Sequence, residues 1–308
     1  MRAIRVHRQS QNADRLDFEL VIVDLPKLRK NECLIKIHGS SVNPSDVKAL
    51  LGKMPYLVWP RIPGRDYAGI VIDGPRKHVG KQVWGTGGDL GMKRNGNHAE
   101  FAIIQARAIH EKPGNISLLE AGAIGVPWTC AWLGIIKGAQ VQAGETVAVI
   151  GANGKVGEAA IQLATGEGAN VIAVERNKDK YFGHTNLPVE LINLSRETNL
   201  KQAILKRTEG EGVNVILNSV GSPYFEVANE CLAKEGRQII ISTIIEENTI
   251  NLKAFYRGNH KLVGVSNMDY DNVASGKILE NIKEGFEKEI YKPYLIKDEN
   301  VFNLDNIG

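Results

Sequence analysis

The pattern of apolar residues is clearest between residues 146 and 164, where it predicts three consecutive elements. The apolar run Val147 to Ile150 predicts a buried strand, which leads directly into a turn that contains three glycines. Beyond the turn, apolar residues recur at the spacing of one helix face: Val156, Ala159, Ala160, Leu163 and Ala164. The pattern therefore predicts a buried strand, a tight turn and an amphipathic helix.

The glycine spacing, Gly-x-x-Gly-x-x-Gly, indicates that this turn binds a dinucleotide. Gly151 would let the chain turn sharply, Gly154 would let a pyrophosphate approach the backbone, and Gly157 would let the helix pack closely on the strand. The N–H groups and the dipole at the start of the helix favour an anion. A second predicted strand, Asn170 to Val174, ends at Glu175, where a ribose-binding carboxylate is expected. The alternative is a tight turn that binds nothing.

Residues 1 to about 117 show short apolar runs separated by glycine and proline, which is typical of a small irregular β-barrel. The predicted strands are Met1 to His7, Phe18 to Val23, Glu32 to His38, Tyr67 to Ile72, Lys81 to Trp84 and Phe101 to Ile104.

From Ser117, which has the spacing of a capping box with Glu120, strand and helix patterns alternate and predict a parallel sheet covered by helices. Open parallel sheets bind ligands at the carboxyl ends of their strands, which singles out Glu175, Asn218 and Ser242. Each of these could equally be a solvated loop residue. The further predicted elements are strand Val213 to Leu217, helix Phe225 to Ala233, strand Gln238 to Ile241, a helix beyond Asn251, strand Lys261 to Val265, helix Asn272 to Glu289 and strand Val301 to Leu304.

Length, charge and cysteine usage narrow the class of protein. A chain of 308 residues suggests about two domains, and the balance of 38 basic and 35 acidic residues, a net charge of +3, argues against a nucleic-acid partner. The three cysteines, Cys33, Cys130 and Cys231, lie far apart, which favours a reducing compartment. The sequence shows neither a signal peptide nor a membrane span, so we expect a cytoplasmic protein without a membrane partner.

Several motifs together resemble the zinc-free quinone oxidoreductase branch of the medium-chain dehydrogenase/reductase superfamily. The resemblance implies an α/β fold: a GroES-like β-barrel catalytic domain from residues 1–117 and 255–308, and a Rossmann dinucleotide-binding domain, a doubly wound parallel sheet, from residues 118–254. It also implies a small-molecule substrate, a nicotinamide at the base of a cleft and a homodimer joined through the sheets. The motifs are SVNPSD at 41–46, PRIPGRDYAG at 60–69, GNHAEF at 96–101, GVPWTCAW at 125–132, VQAGETVAVIGANGKVG at 141–157, NSVG at 218–221 and LVGVSN at 262–267.

The resemblance also indicates whether the protein binds a metal ion, and we expect that it binds none. Zinc-dependent relatives place ligands where this chain has Asn43, Gly64-Arg65-Asp66 and Val126, and no zinc ligand of those relatives is retained. Without a Lewis acid an alkoxide is hard to stabilise, so an acceptor that needs less activation fits better. We therefore expect NAD(P)H-dependent reduction of a quinone or an α,β-unsaturated carbonyl. An enoyl-thioester or alkenal reductase, or an NADPH-binding sensor or structural protein without turnover, are the alternatives.

The candidate catalytic residues lie in and just beyond the SVNPSD motif: Asn43, Asp46 and Lys48. The amide of Asn43 carries two N–H groups that could stabilise an oxyanion, or it could be a turn amide before proline. Lys48 stands where relatives often carry tyrosine and could simply be solvated. The adjacent charges of Arg65 and Asp66 are expected to form a structural pair rather than to donate a proton.

The expected cofactor is NADPH, with NADH possible. Glu175 suits the ribose hydroxyls of NAD, whereas Arg176 and Lys180 suit the 2′-phosphate of NADP, and Tyr181 could cover the adenine. Cys130 stands beside the expected nicotinamide, more as a small filler than as a nucleophile. The full set of expected cofactor-binding residues is Cys130, Gly151, Asn153, Gly154, Lys155, Val156, Gly157, Glu175, Arg176, Lys180, Tyr181, Asn218, Val220, Ser242, Thr243, Val265 and Ser266.

Overall fold

The computed structural model describes residues 1–12 and 14–306. The chain divides into two compact units, of which the first comprises Met1–Thr129, Asn267–Glu289 and Pro293–Gly308. The second unit comprises Cys130–Ser266 and Ile290–Lys292. The domain limits expected from the sequence, near residues 117 and 255, stay a prediction.

The first unit is built on antiparallel strands. Strands β1 and β2 form a two-stranded sheet, and β3 to β7 form a five-stranded sheet in the order β6-β3-β4-β5-β7. Side chains from four of the five strands meet in its core, where Cys33, Ile35, Tyr67 and Ile104 are fully buried. The strands are β1 Arg2–Arg5, β2 Glu19–Ile22, β3 Glu32–Gly39, β4 Tyr67–Asp73, β5 Gln82–Gly85, β6 Phe101–Gln105 and β7 His110–Glu111, and the first two helices are α1 Pro44–Leu50 and α2 Leu118–Ala121.

The second unit is a six-stranded parallel sheet in the order β10-β9-β8-β11-β12-β13. Its central strands carry continuous apolar runs because helices cover both faces, as parallel sheets require. The strand order reverses between β8 and β11, which is the doubly wound topology. The strands are β8 Thr146–Ile150, β9 Asn170–Glu175, β10 Val189–Asn193, β11 Val213–Asn218, β12 Leu232–Ile240 and β13 Lys261–Gly264.

The remaining helices complete both units. Helix α3, Gly125–Trp132, begins in the first unit and passes into the second between Thr129 and Cys130, and a π-helical turn follows at Leu133–Ala139. No helix in residues 1–12 and 14–306 is long and apolar enough to cross a membrane. The later helices are α4 Lys155–Gly166, α5 Leu200–Arg207, α6 Phe225–Glu230, α7 Leu252–Gly258 and α8 Asn272–Glu287.

The predicted strand, turn and helix at residues 146–164 are confirmed, as is the capping box: Ser117 Oγ accepts the N–H of Glu120, and the Glu120 carboxylate accepts the N–H of Ser117. Five elements were missed: α1, β7, α3, β10 and α5. Helix α1 was overlooked because Pro44 was interpreted as part of a turn. Proline is compatible with the first helical position, since the N–H of that residue has no partner within the helix. Strand β10, VELIN, was overlooked because it lies at the edge of the sheet and carries a glutamate among its apolar residues.

Three predicted elements were wrong in part or entirely. The strand predicted from Gln238 to Ile241 is β12, which already begins at Leu232. Helix α6 ends at Glu230 rather than Ala233, because Leu232 already pairs with Val213 in the sheet. The segment 301–304 does not form a strand, since it pairs with no strand of the described residues and runs into a 3₁₀ turn at Leu304–Asn306.

Candidate functional site

Each of the three glycines in the turn after β8 lies where a side chain would be strained or crowded. Gly151 has a φ of 81°, which only glycine adopts without strain, and a Cβ on Gly157 would lie 2.2 Å from the carbonyl oxygen of Gly151. Gly154 caps the twelve-residue helix α4, whose first-turn N–H groups have no carbonyl partner within the helix. The exposed backbone and the helix dipole together form a cradle that fits a pyrophosphate.

The acidic residue after β9 lies directly at this turn. Glu175 Oε1 accepts the backbone N–H of Asn153 at 2.5 Å, although the two residues are 22 positions apart. The Asn153 side chain then joins the turn to the next loop, because Nδ2 donates to the carbonyl of Lys180 and Oδ1 accepts the N–H of Phe182. The structure therefore brings together three predicted cofactor residues: Asn153, Glu175 and Lys180.

The other residues predicted around the ribose differ in exposure. Arg176 and Lys180 are exposed, and Arg176 forms no ion pair within the described residues. The Tyr181 hydroxyl lies 3.4 Å from the carbonyl oxygen of Glu158 and 3.3 Å from that of His184, so the side chain packs against α4. Burial raises the pKa of Tyr181 well above its usual range, so the phenol stays neutral.

The loop after β11 is held by the amide of Asn218, which is fully buried. Its Oδ1 accepts the N–H groups of Val220 and Gly221, and its Nδ2 donates to the Gly221 carbonyl and to Gln238 Oε1. Because every hydrogen-bonding site of this amide is used within the protein, Asn218 shapes the loop and has no N–H left for a ligand.

The loops that follow neighbouring parallel strands contact one another at the carboxyl ends of those strands. Ser219 Oγ, which the sequence did not single out, donates to the carbonyl of Ile150 at 2.6 Å. A Cβ on Gly221 would lie 2.5 Å from the Ser242 carbonyl oxygen and 2.5 Å from Thr243 Cα. The loops after β8, β11 and β12 are therefore packed together, as the parallel sheet predicted.

The remaining predicted cofactor residues lie outside these loops. Val265 directly follows β13 and donates its N–H to the Ile240 carbonyl, and Ser266 comes next in the chain. Lys155 and Val156 form the first turn of α4, and Lys155 Nζ pairs with Glu158 at 3.0 Å. Cys130 lies on α3 and is half-buried.

A second polar cluster, in the first unit, surrounds the fully buried carboxylate of Asp66. Asp66 Oδ2 accepts Ser41 Oγ–H at 2.5 Å and Asn43 Nδ2–H at 2.9 Å, and Oδ1 accepts the backbone N–H of Val126 at 2.8 Å. Asn43 Nδ2 also donates to Ser41 Oγ at 3.0 Å. Both N–H bonds of this amide are thus engaged within the protein, and neither is left for an oxyanion. Sequence reasoning missed Ser41 and the N–H of Val126.

Asp46 adjoins this cluster on the other side of Asn43, whose backbone N–H it accepts at 2.8 Å. It also borders a cavity of about 80 Å³. Burial raises the pKa of Asp46. The positive charge of Arg65, and that of His98 if it is protonated, acts in the opposite direction and lowers this pKa. The cavity lining is apolar apart from Asp46 and His98: Ile4, Leu16, Phe18, Val42, Val47, Leu50 and Pro63.

The expected ion pair between Arg65 and Asp66 is not present in the described structure. Arg65 Nε donates to the Gly87 carbonyl at 3.1 Å and Nη1 to Ser45 Oγ at 3.3 Å. Arg65 and Asp66 thus both hold loops in place, but each bonds to other residues and not to its neighbour. Lys48 lies on α1 and is exposed. Among the described residues no group of three His, Cys, Asp or Glu side chains is arranged to hold a metal ion.

Comparison with known proteins agrees with this architecture. The model of the alcohol dehydrogenase GroES-like domain matches residues 29–114, and the model described as zinc-binding dehydrogenase matches residues 156–282. A solved structure of an alcohol dehydrogenase superfamily protein from Novosphingobium aromaticivorans superposes with a TM-score of 0.83 at 26% identity, covering 94% of this chain and 88% of that one.

Three curated relatives are similar in sequence. A zinc-type alcohol dehydrogenase-like protein of Schizosaccharomyces pombe is 35% identical over 95% of this chain and 87% of its own length. A quinone oxidoreductase of Sus scrofa is 31% identical over 72% of this chain and 67% of its length. A highly reducing polyketide synthase of Preussia isomera is 30% identical over 72% of this chain, which spans only 9% of that protein.

The fold, the glycine-rich cradle and these matches together define the class. The chain belongs to the medium-chain dehydrogenase/reductase superfamily, in its quinone oxidoreductase-like branch, and combines a GroES-like domain with a Rossmann domain. It is an NAD(P)H-dependent oxidoreductase, and the enzymes of this family act on small molecules.

We expect the Asp46→Asn variant to gain stability relative to the wild type as pH rises. Burial raises the pKa of Asp46 above its unfolded value, so the stability contributed by the neutral carboxyl is complete below the unfolded pKa and is lost as pH rises through the folded pKa. Asparagine keeps an acceptor for the Asn43 N–H without this loss. Urea unfolding from about pH 4 to about pH 8 would measure the difference. The exposed Asp24→Asn variant is the control, and a difference that does not change with pH would contradict the argument.

Proposed function

We propose that this protein is a reductase that transfers a hydride from NADPH to a quinone or an α,β-unsaturated carbonyl without a metal ion. The single observation that carries the proposal is the cradle at Gly151, Gly154 and Gly157, where any Cβ on Gly157 would collide with the backbone. When bound there, the nicotinamide cofactor supplies the hydride, and the protein supplies binding, orientation and exclusion of water.

The donor set of the first unit supports chemistry without a metal. Asn43 and Asp66 are engaged with each other, and the Arg65 guanidinium, a cation without lone pairs to offer, donates to a carbonyl and a hydroxyl. An acceptor whose reduction places negative charge on a conjugated oxygen needs less polarisation than a simple ketone. We propose that the segment with Asn43, Asp46 and Lys48 borders the acceptor. Asn43 would shape this border and would not donate a hydrogen bond to the acceptor, because both of its side-chain N–H bonds are engaged.

A second candidate is the reduction of an enoyl thioester or an alkenal. The similarity to a polyketide synthase supports it, and that similarity covers as much of this chain, 72%, as the similarity to a quinone oxidoreductase does. Both candidates deliver hydride to an electron-poor conjugated carbon, so the same cofactor cradle serves either. A nucleotide-binding protein without turnover is the third alternative.

The preferred cofactor is proposed to be NADPH. Glu175 is occupied by the N–H of Asn153, whereas the side chains of Arg176 and Lys180 are exposed beside it. Two exposed cations next to the ribose-binding position favour a 2′-phosphate, and the engaged carboxylate repels it less than a free one would. NADH remains the alternative.

We also propose a homodimer formed through the outer edge of the parallel sheet. Strand β13 pairs only with β12 among the described strands, so its other edge offers unpaired backbone groups. Exposed apolar side chains of the same unit, which would otherwise face water, support this surface: Ile244, Ile245, Leu252, Tyr256 and Leu262. The three cysteines, which lie far apart in the sequence, agree with a reducing compartment such as the cytoplasm.

Metal-free protein is expected to oxidise NADPH when a quinone or an enone is supplied. Steady-state rates with a quinone, an enone and an enoyl-CoA would rank the candidate acceptors. Chelation with EDTA should leave the rate unchanged. A rate that vanishes on chelation and returns with Zn²⁺ would contradict the metal-free proposal, and NADPH binding without turnover on any acceptor would favour the sensor.

The Arg176→Ala variant is expected to bind NADPH roughly tenfold more weakly, because a charge-assisted hydrogen bond to the phosphate is lost. Its affinity for NADH should stay within about twofold of wild type, since NADH lacks that phosphate. Fluorescence titration of both nucleotides measures this, with the exposed Arg257→Ala as the matched control in the same unit. Equal losses for both nucleotides would refute the assignment of the phosphate to Arg176.

The Leu262→Glu variant should convert the dimer to a monomer, because a charge on β13 would be buried against its symmetry mate. Light scattering coupled to size-exclusion chromatography measures the mass. Ile22→Glu, at an apolar position that is 86% exposed on β2 of the first unit, should remain dimeric. A wild-type monomer at micromolar concentration would end this proposal.

A further inference from the structure

The carboxylate of Asp66 joins two segments that are far apart in sequence. Ser41 and Asn43 precede α1, whereas Val126 lies in the first turn of α3, 60 positions beyond Asp66. All three donors reach the same buried carboxylate, whose residue is 0% exposed. The backbone N–H of Ser41 also donates to the carbonyl of Gly122, and the carboxylate strengthens this link because a hydrogen bond to a charged group is stronger than one between neutral groups.

The backbone around the carboxylate is shaped to admit it. A Cβ on Gly125, the first residue of α3, would lie 2.3 Å from Asp66 Oδ1 and 2.7 Å from Thr86 Cβ. Glycine at this position therefore leaves the space in which Oδ1 meets the N–H of Val126. This is an independent observation, because it depends on the packing of the backbone and not on the hydrogen bonds.

The first turn of α3 also needs a hydrogen-bond acceptor from outside the helix. The first N–H groups of a helix have no carbonyl within the helix, and the dipole makes this end favourable for an anion. Asp66, the residue before β4, supplies this anion, whereas Thr129 Oγ1 donates to the carbonyls of Gly125 and Val126 in its own helix. The first turn of α3 is thus fixed by one side chain from outside the helix.

We propose that Asp66 is a positioning residue, which holds the Ser41–Asn43 segment and the first turn of α3 at a fixed separation and so presets the acceptor-binding wall of the enzyme. This inference rests on the proposed function, because it assigns the acceptor to the segment that contains Asn43. Asp66 itself is enclosed by its three donors and does not touch the acceptor.

Two variants disturb this arrangement in different ways. Asp66→Asn keeps the shape but removes the charge and places an N–H group against at least one donor. Gly125→Ala keeps the carboxylate but pushes it from the N–H of Val126. Ser41→Ala removes a single donor and serves if the stronger variants fold poorly. Gly114→Ala is the matched control, because a Cβ there meets nothing within 4 Å.

The first measurement does not depend on turnover. Hydrogen–deuterium exchange should be roughly tenfold faster in the peptides covering residues 39–47 and 122–128 of Asp66→Asn and Gly125→Ala, as expected for the loss of a charged hydrogen bond. Gly114→Ala should match the wild type in both peptides. Unchanged exchange in either peptide, or acceleration that is uniform over the whole first unit, would overturn the proposal.

The second measurement separates positioning from stability. With a quinone as acceptor, kcat/KM should fall roughly tenfold in both variants, while the Kd for NADPH stays within about twofold. Faster exchange with an unchanged kcat/KM would mean that the cluster is structural only and would also overturn the proposal. If the wild type turns over no acceptor, the proposed function fails, and the exchange comparison alone decides whether Asp66 holds the two segments together.

Discussion

The nucleotide-binding half of the structure depends on how closely α4 approaches the end of β8. At Gly157 the helix lies so near the turn that a Cβ would sit 2.2 Å from the carbonyl oxygen of Gly151. This contact fixes the direction of α4, and therefore the direction of the N–H groups in its first turn. The strand order reverses between β8 and β11, and doubly wound sheets bind their ligands at this point, beyond the carboxyl ends of the strands.

The first unit meets a different constraint, since it buries two carboxyl groups on either side of one residue. Asn43 gives its side-chain N–H to Asp66 and its backbone N–H to Asp46. Asp66 has three donors, which suit a charged carboxylate, whereas Asp46 has one donor and borders an apolar cavity, which suits a neutral one. Two similar groups are thus placed in contrasting environments by the loop that joins β3 to α1.

Much of the candidate site could be predicted, but its internal hydrogen bonds could not. Glycine spacing and the apolar strand located the turn and placed Glu175 beside it, because both follow from the local chain. The use of the Asn43 and Asn218 amides was not foreseeable, since their partners Asp66 and Gln238 lie 23 and 20 positions away. Helix α1 was hidden for a related reason: proline at a first helical position resembles proline in a turn.

By itself the sequence determined the alternation of strands and helices, the glycine cradle and the resemblance to reductases without zinc, because these depend on residue type and spacing within short segments. The tertiary structure decided which polar groups meet. It set Arg65 and Asp66 on different partners although they are neighbours, and it joined Asp66 to Val126 across 60 positions. The physical reason is that a buried charge must find donors wherever the packed chain places them, and packing is a property of the whole unit.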